Sequence, residues 1–309
     1  METFGGYLEL ELYKGEEFHK NVVKLNSARN CLRYLIRTCS IKELWVPRFT
    51  CPVVWDALHA EHCKIKFYSI TENLMPAEQI APDEYLLYTN YFGICWKKIL
   101  ELQNTYPRLL VDNAQGFFAP AAGMASFYSP RKFFGVPDGG YLTGQWDISD
   151  LPFDQSYMRF GHLLKRIDSG AQSAYTDFRK NEECLDKQPL KRMSHLTQRI
   201  LEGINYSNCI KRRRENYDIL HNVLKDRNDF KADLLTCHDV PMIYPFLAKG
   251  KAIKRQLIEQ GIFVATYWPG QKDNGYGAEL EEFLIPLPID QRYSQKEMVY
   301  IAQKVRDLL

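Results

Sequence analysis

Four short apolar runs that alternate with helix-length segments leave this chain few folds to choose from. LWVP (44–47), KIKFYSI (64–70), YLLYTN (85–90) and RLLVDN (108–113) are rich in branched and aromatic residues, and segments near 28–39, 52–61 and 94–104 carry helical patterns. Strand–helix alternation of this kind predicts a mainly parallel α/β sheet. Ligands of such sheets bind beyond the carboxyl ends of the strands, which is where Asn90, Asp112 and Asn113 fall.

The pattern changes after about residue 150. Residues 189–228 read as mostly helical, with Pro189 as a start, and KRRRENY (211–217) reads as the solvated face of a long helix. The remainder holds VPMIYPFLA (240–248), a helical run stopped by Gly261, and the amphipathic segment SQKEMVYIAQKVRDLL (294–309). The division expected is a large α/β domain over 1–228 and a small α+β domain over 229–309.

Of the 309 residues, 45% are hydrophobic, enough to bury a full core. A net charge of +2 supplies no general attraction to nucleic acid or membrane. The eight cysteines are scattered without metal-like spacing, METFGGYLELELYKGEEFHK lacks the apolar stretch of a signal peptide, and no run approaches a membrane span. These features predict a cytoplasmic protein with reduced cysteines in its core.

The chemistry concentrates in the middle of the chain. Asp112 ends an apolar strand, Gln115 follows three residues later, and Lys132 lies twenty residues beyond Asp112, before the glycine pair Gly139-Gly140. A carboxylate at the end of a buried strand needs a cationic partner, and a protonated pyridine nitrogen is one. Pyridoxal phosphate (PLP) also needs a lysine for its Schiff base, and Arg131 beside Lys132 favours the unprotonated amine. Taken singly, Asp112 has the alternative of a turn or cap residue, and Lys132 that of a surface lysine. His162 and His195 carry no motif. No GxGxxG follows a first strand, which argues against a nicotinamide-binding fold.

On these residues the chain resembles the DegT/DnrJ/EryC1/StrS family of PLP-dependent sugar aminotransferases. VDNAQ (111–115) is similar to that family's EDAAQ, SFYSPRKFFGVPDGG (126–140) to its SF…K…GEGG, and TNYFG (89–93) to its aromatic-glycine step. NSARNCLRYLI (26–36) is similar to its phosphate-binding SGTAAL turn, and LKRMSHLTQRI (190–200) and IPLPIDQRYSQKEM (285–298) to its later segments. The resemblance implies fold type I, a large mainly parallel-sheet domain with helices on both faces and a smaller C-terminal α+β domain. It implies Lys132 as the Schiff-base lysine, Asp112 as partner of the pyridine nitrogen and Gln115 as neighbour of the cofactor's 3-oxygen. It places the phosphate at Ser27, Ala28 and Arg29, where a helix N-terminus binds anions.

The chain departs from the family at four places. Ala28 and Arg29 replace Gly-Thr in the phosphate turn, so that Arg29 is a candidate phosphate contact. The Ser-to-Lys segment is one residue longer, leaving Ser126 and Ser129 as alternative phosphate hydroxyls. Cys51 stands where an aromatic stacks on the pyridine ring, with Tyr91, Phe92 or Phe49 as replacements. Leu190 replaces an asparagine that reaches the neighbouring subunit's phosphate, with Lys191 or Arg192 to compensate from the basic 187–192 segment. The chain is also short for the family, with loops toward a nucleotide-sugar substrate trimmed.

The resemblance implies transfer of an amino group from glutamate or glutamine to a keto-sugar-type acceptor, in a homodimer with shared active sites, in cell-surface polysaccharide or antibiotic sugar synthesis. Two alternatives stand beside it: a PLP-dependent lyase or dehydratase, and a degenerate relative that binds without turnover. The deoxysugar dehydratases carry histidine in place of the lysine, and Lys132 argues against that branch; the set Asp112, Gln115 and Lys132 argues against a scaffold.

Overall fold

The computed structural model describes residues 4–186, 188–231, 233, 235–249, 253–270 and 275–309. Its seven-stranded sheet is built from β1 (Val22–Leu25), β2 (Glu43–Pro47), β3 (Lys64–Tyr68), β4 (Leu86–Thr89), β5 (Leu109–Asn113), β6 (Ala125–Tyr128) and β7 (Gly140–Thr143), in the order β1-β7-β6-β5-β4-β2-β3. Only β7 runs against its neighbours β6 and β1; the other strands are parallel to one another. The four predicted apolar runs are β2 to β5. Every residue of β4 and β5 is buried, as central strands covered on both faces require.

Residues alternate across the sheet. Leu44, Val46, Leu87, Leu110 and Phe127 face α1 (Ala28–Thr38) and α2 (Pro52–Ala60), packing on Leu32, Leu35, Ala57 and Leu58. Leu86, Tyr88, Leu109 and Val111 face α3 (Trp96–Thr105) together with Ile243, Leu247 and Trp268 from the C-terminal part of the chain. α1 starts where Ser27 caps the Asn30 amide at 3.1 Å, and α2 starts at Pro52, whose missing N–H is no loss in a first turn.

After β7 come α4 (Gly161–Asp186), α5 (His195–Glu202) and α6 (Tyr206–Leu224). α4 bends at Gly170, whose φ of +80° suits a residue without Cβ. Pro189 is not a helix start as expected. The Asn26 amide bonds the Lys191 carbonyl and the Met193 amide the Lys24 carbonyl, both at 3.0 Å, so this segment covers the free edge of β1. The helix begins only where the Ser194 hydroxyl, itself bonded to Asp138, caps Thr197.

The C-terminal part contains β8 (Ile243–Leu247), α7 (Ile253–Glu259), α8 (Tyr276–Phe283), β9 (Leu284–Pro288) and α9 (Gln295–Asp307). β8 and β9 pair antiparallel, and α9 opens with a capping box of Ser294 and Glu297. Tyr217, Leu220 and Leu224 of α6 share one core with Phe246, Leu287, Met298 and Val305, so α6 packs as part of the smaller unit at its C-terminal half. No helix among the described residues is long and apolar enough to cross a membrane.

Candidate active site

Parallel strands deliver their carboxyl ends to one edge of the sheet, and with them the segments that follow. That edge therefore gathers Ser27 after β1, Thr50 and Cys51 after β2, Asn90 after β4, Asp112 at the end of β5, and Ser129 to Lys132 after β6. Thr89 and Asp112 are register partners on adjacent parallel strands, and strand alternation turns both toward the face covered by α1 and α2.

Asp112 is buried and accepts a 2.8 Å hydrogen bond from the Ala114 amide; among the described residues no cation pairs with it. Burial pushes its carboxyl above the usual range, opposed by the positive charge of Lys132 and by the Ala114 amide. The Thr89 hydroxyl is also buried and without a hydrogen-bond partner among the described residues. Lys132 ends a single 3₁₀ turn, Pro130–Lys132; its side chain is exposed, and among the described residues it makes neither ion pair nor hydrogen bond. The edge thus presents a costly unpaired carboxylate, an orphan hydroxyl and an uncommitted amine.

The glycine pair serves α1. A Cβ on Gly140 would fall 2.5 Å from the Ala28 nitrogen and 2.4 Å from the Ser27 carbonyl carbon, and the Gly139 amide bonds the Asn26 carbonyl at 2.8 Å. Glycine therefore lets β7 lie directly against the start of α1.

Several predicted contacts are replaced by others. The hydroxyl of Ser126 donates to the Ala122 carbonyl at 2.9 Å and accepts from its amide at 3.0 Å, so it closes a turn and is not available to a phosphate. Ser129 is buried, and among the described residues its hydroxyl makes no cap hydrogen bond. The Ser27 hydroxyl caps α1, and Arg29 pairs with Asp186 of α4 at 2.7 Å instead of turning to the helix start. Tyr91, Phe92 and Phe49 are wholly buried in the core beneath the edge, with the Tyr91 hydroxyl on the Phe49 carbonyl at 2.8 Å, so none presents a face to a bound ring. Gln115 bonds the Phe92 amide through Oε1 at 2.8 Å, which leaves its Nε2 as a donor.

Arg131 does not face Lys132 but pairs with Glu182 of α4. Burial pulls its guanidinium down, with Glu182 and Asp138 opposing and Arg29 and Arg159 adding to the fall. In the 187–192 segment, Lys187 lies outside the described residues. Lys191 reaches Asp154 at 3.2 Å, Arg192 donates to the Leu151 carbonyl at 2.7 Å and stacks on Phe153 at 4.0 Å, and Leu190 is buried.

Sequence reasoning missed Thr89 and Arg213. Arg213 is the buried arginine of KRRRENY, its guanidinium pulled down to about 10 by burial with Asp290 opposing. A signal existed: Tyr206, Cys209, Arg213, Tyr217, Leu220 and Leu224 recur at three- and four-residue steps, so Arg213 stands on the apolar stripe of α6.

The fold these observations define is that of the aminotransferases of fold type I: a large, mostly parallel sheet with helices on both faces and a smaller C-terminal unit. A DegT DnrJ EryC1 StrS aminotransferase from Brucella abortus is similar over 93% of this chain and 85% of its own, with a TM-score of 0.65 at 15% identity. TlmJ, an aminotransferase from Streptoalloteichus hindustanus, matches over 93% and 85% with a TM-score of 0.64 at 16% identity. DesV of S. venezuelae, solved in complex with a ketimine intermediate, matches over 93% and 84% with a TM-score of 0.64, also at 16% identity. No protein-family profile matches the sequence, and no curated protein does.

Proposed function

We propose that this chain is a PLP-dependent aminotransferase that moves an amino group from an amino-acid donor, glutamate or glutamine, to a keto-sugar-type acceptor. The observation that carries the reading is Asp112: a buried carboxylate with no ion pair among the described residues, on the same strand-end edge as Lys132. A protonated ring nitrogen supplies the missing positive charge, and the orphan Thr89 hydroxyl offers a further polar contact beside it. The residues present fit the cofactor.

In this reading Lys132 would hold PLP, Asp112 would keep its ring nitrogen protonated, and Gln115 would offer Nε2 to the ring oxygen. The start of α1, through its dipole, and the Ser129 hydroxyl would hold the phosphate. The bound pyridinium supplies an electron sink for the pair left on the substrate carbon. With the cofactor bound, the Lys132 amine would act as general base at the donor's α-carbon, within the range of about 10²–10⁴-fold that positioned proton transfer contributes. Asp112 stays ionised because the proton it faces is held on nitrogen.

A homodimer with shared active sites fits the surface of α4, where Leu164 and Ile167 before the Gly170 bend, and Tyr175 and Phe178 after it, are exposed at three-residue steps.

The test is the absorbance of the protein with added PLP, beside Lys132→Ala. A visible band in the wild type that borohydride abolishes, absent from the variant, supports the reading; bleaching by glutamate or glutamine supports transamination. A band that no amino donor changes favours a lyase. No band at any PLP concentration overturns the assignment and favours binding without turnover.

A further inference from the structure

We infer that Arg213 and Gln291 are positioning residues for Lys132, holding its turn to the C-terminal unit through one partly buried chain of hydrogen bonds that begins at Gln115. That the positioned amine is the reacting one rests on the aminotransferase reading; that its turn is held from the C-terminal unit does not.

The chain can be followed atom by atom. The Phe92 amide donates to Gln115 Oε1 at 2.8 Å, and the Phe92 carbonyl accepts from the Met242 amide at 2.8 Å. The Met242 carbonyl accepts from Arg213 Nη1 at 3.1 Å, as the Pro241 carbonyl does at 3.2 Å. Arg213 Nε donates to Gln291 Oε1 at 2.9 Å, and Gln291 Nε2 donates to the Phe133 carbonyl at 2.8 Å. The guanidinium also lies over the Phe133 ring, 4.4 Å from its centre. Phe133 follows Lys132 directly and closes its turn, with its amide on the Pro130 carbonyl at 3.0 Å.

Each end of this chain is a turn at the site edge. At one end Phe92 has a φ of +57°, a conformation a bulky residue adopts only when its surroundings impose it. At the other, a single 3₁₀ turn carries the exposed Lys132 and has little stability of its own. Between them stands a wholly buried arginine whose charge is met by carbonyls, an amide and a ring, with no carboxylate among the described residues bonded to it. The planar fork of arginine matches these acceptors; a lysine offers one point charge and cannot bridge them together. Small displacements of a reacting group are expensive, so the grip on Phe133 decides where the Lys132 amine stands.

Amide hydrogen exchange of the cofactor-free chain tests this in wild type, Gln291→Met and Arg213→Lys. The expected result is at least tenfold faster exchange at Phe133 and Phe134, with β8, β9 and α9 exchanging as in wild type. Unchanged exchange at Phe133 and Phe134 overturns the inference. Equal acceleration throughout the C-terminal unit also overturns it, because the two residues would then serve general stability. Should Arg213→Lys fail to fold, Gln291→Met decides alone. A second readout is the pH at which the visible band of the PLP-loaded protein changes, expected to shift in both variants. Absence of that band in wild type would count against the aminotransferase reading, while the exchange result would still decide the positioning claim.

Discussion

Gly140 packs against Ala28 so closely that a side-chain carbon on the glycine would fall 2.5 Å from the alanine nitrogen. β7 and the start of α1 are thereby one rigid corner of the site. Gly140→Ala is expected to force them apart, lowering stability by about 1–3 kcal/mol, the range of overpacked cores. PLP affinity should fall as the helix start moves. Thermal unfolding and a PLP titration measure the two effects. Gly135→Ala is the control, since a Cβ there meets only Leu163, at 3.5 Å.

Asp112 yields a pH prediction with a definite sign. Its folded-state pKa is raised by burial, so the folded chain binds this proton more readily than the unfolded chain does. The ionised group therefore lowers stability as pH rises above its unfolded value, and has no such effect below it. Asp112→Asn should raise the Tm of the cofactor-free protein near neutral pH, and the gain should shrink as pH falls toward the ordinary Asp value of about 3.9. Excess PLP should then stabilise wild type but not the variant. Equal PLP stabilisation of both proteins would remove Asp112 from the site.

The two serines separate a fold role from a binding role. Ser126→Ala loses both bonds to Ala122 and should cost about 1–3 kcal/mol, with any PLP affinity unchanged once the protein is folded. Ser129→Ala should leave Tm in place and weaken PLP or inorganic phosphate binding about tenfold, the loss of one hydrogen bond to a charged group. The reverse pattern would return the phosphate to Ser126.

Glu182 neutralises Arg131, the neighbour of Lys132. Glu182→Gln should lower stability by about 1–2 kcal/mol, less than for a fully buried pair because the Glu182 side chain is 35% exposed. The denaturant midpoint should fall with an unchanged m-value. A double-mutant cycle with Arg131→Met should show that most of the loss is shared between the two residues.

The strand-end residues were legible because period and position are local properties. Asp112 could be assigned to a buried strand end from LLVDN alone, and the helical patterns near 28–39 and 52–61 mark α1 and α2. The partners of long polar side chains were not legible. Ser126 and Ser129 differ by three positions in sequence, yet one closes a turn with Ala122 and the other is left with its hydroxyl uncommitted. Arg29 looked free to meet an anion until α4 brought Asp186 beside it from 157 residues away. Tyr91 and Phe92 looked available as stacking rings, but the C-terminal residues Ile243 and Trp268 complete a core around them.

By itself, the sequence determined the alternation of strands and helices, the direction of the parallel strands and hence the edge that carries both Asp112 and Lys132. Those follow from side-chain periodicity and backbone chirality, which act over a few residues. Only the tertiary structure decided which polar groups remain without partners at that edge, and that Arg213 is buried against Phe133 instead of solvated. Arginine can lie in water or among carbonyls, and the choice depends on what distant segments place around it: here Pro241, Met242 and Gln291, 28, 29 and 78 residues further along the chain.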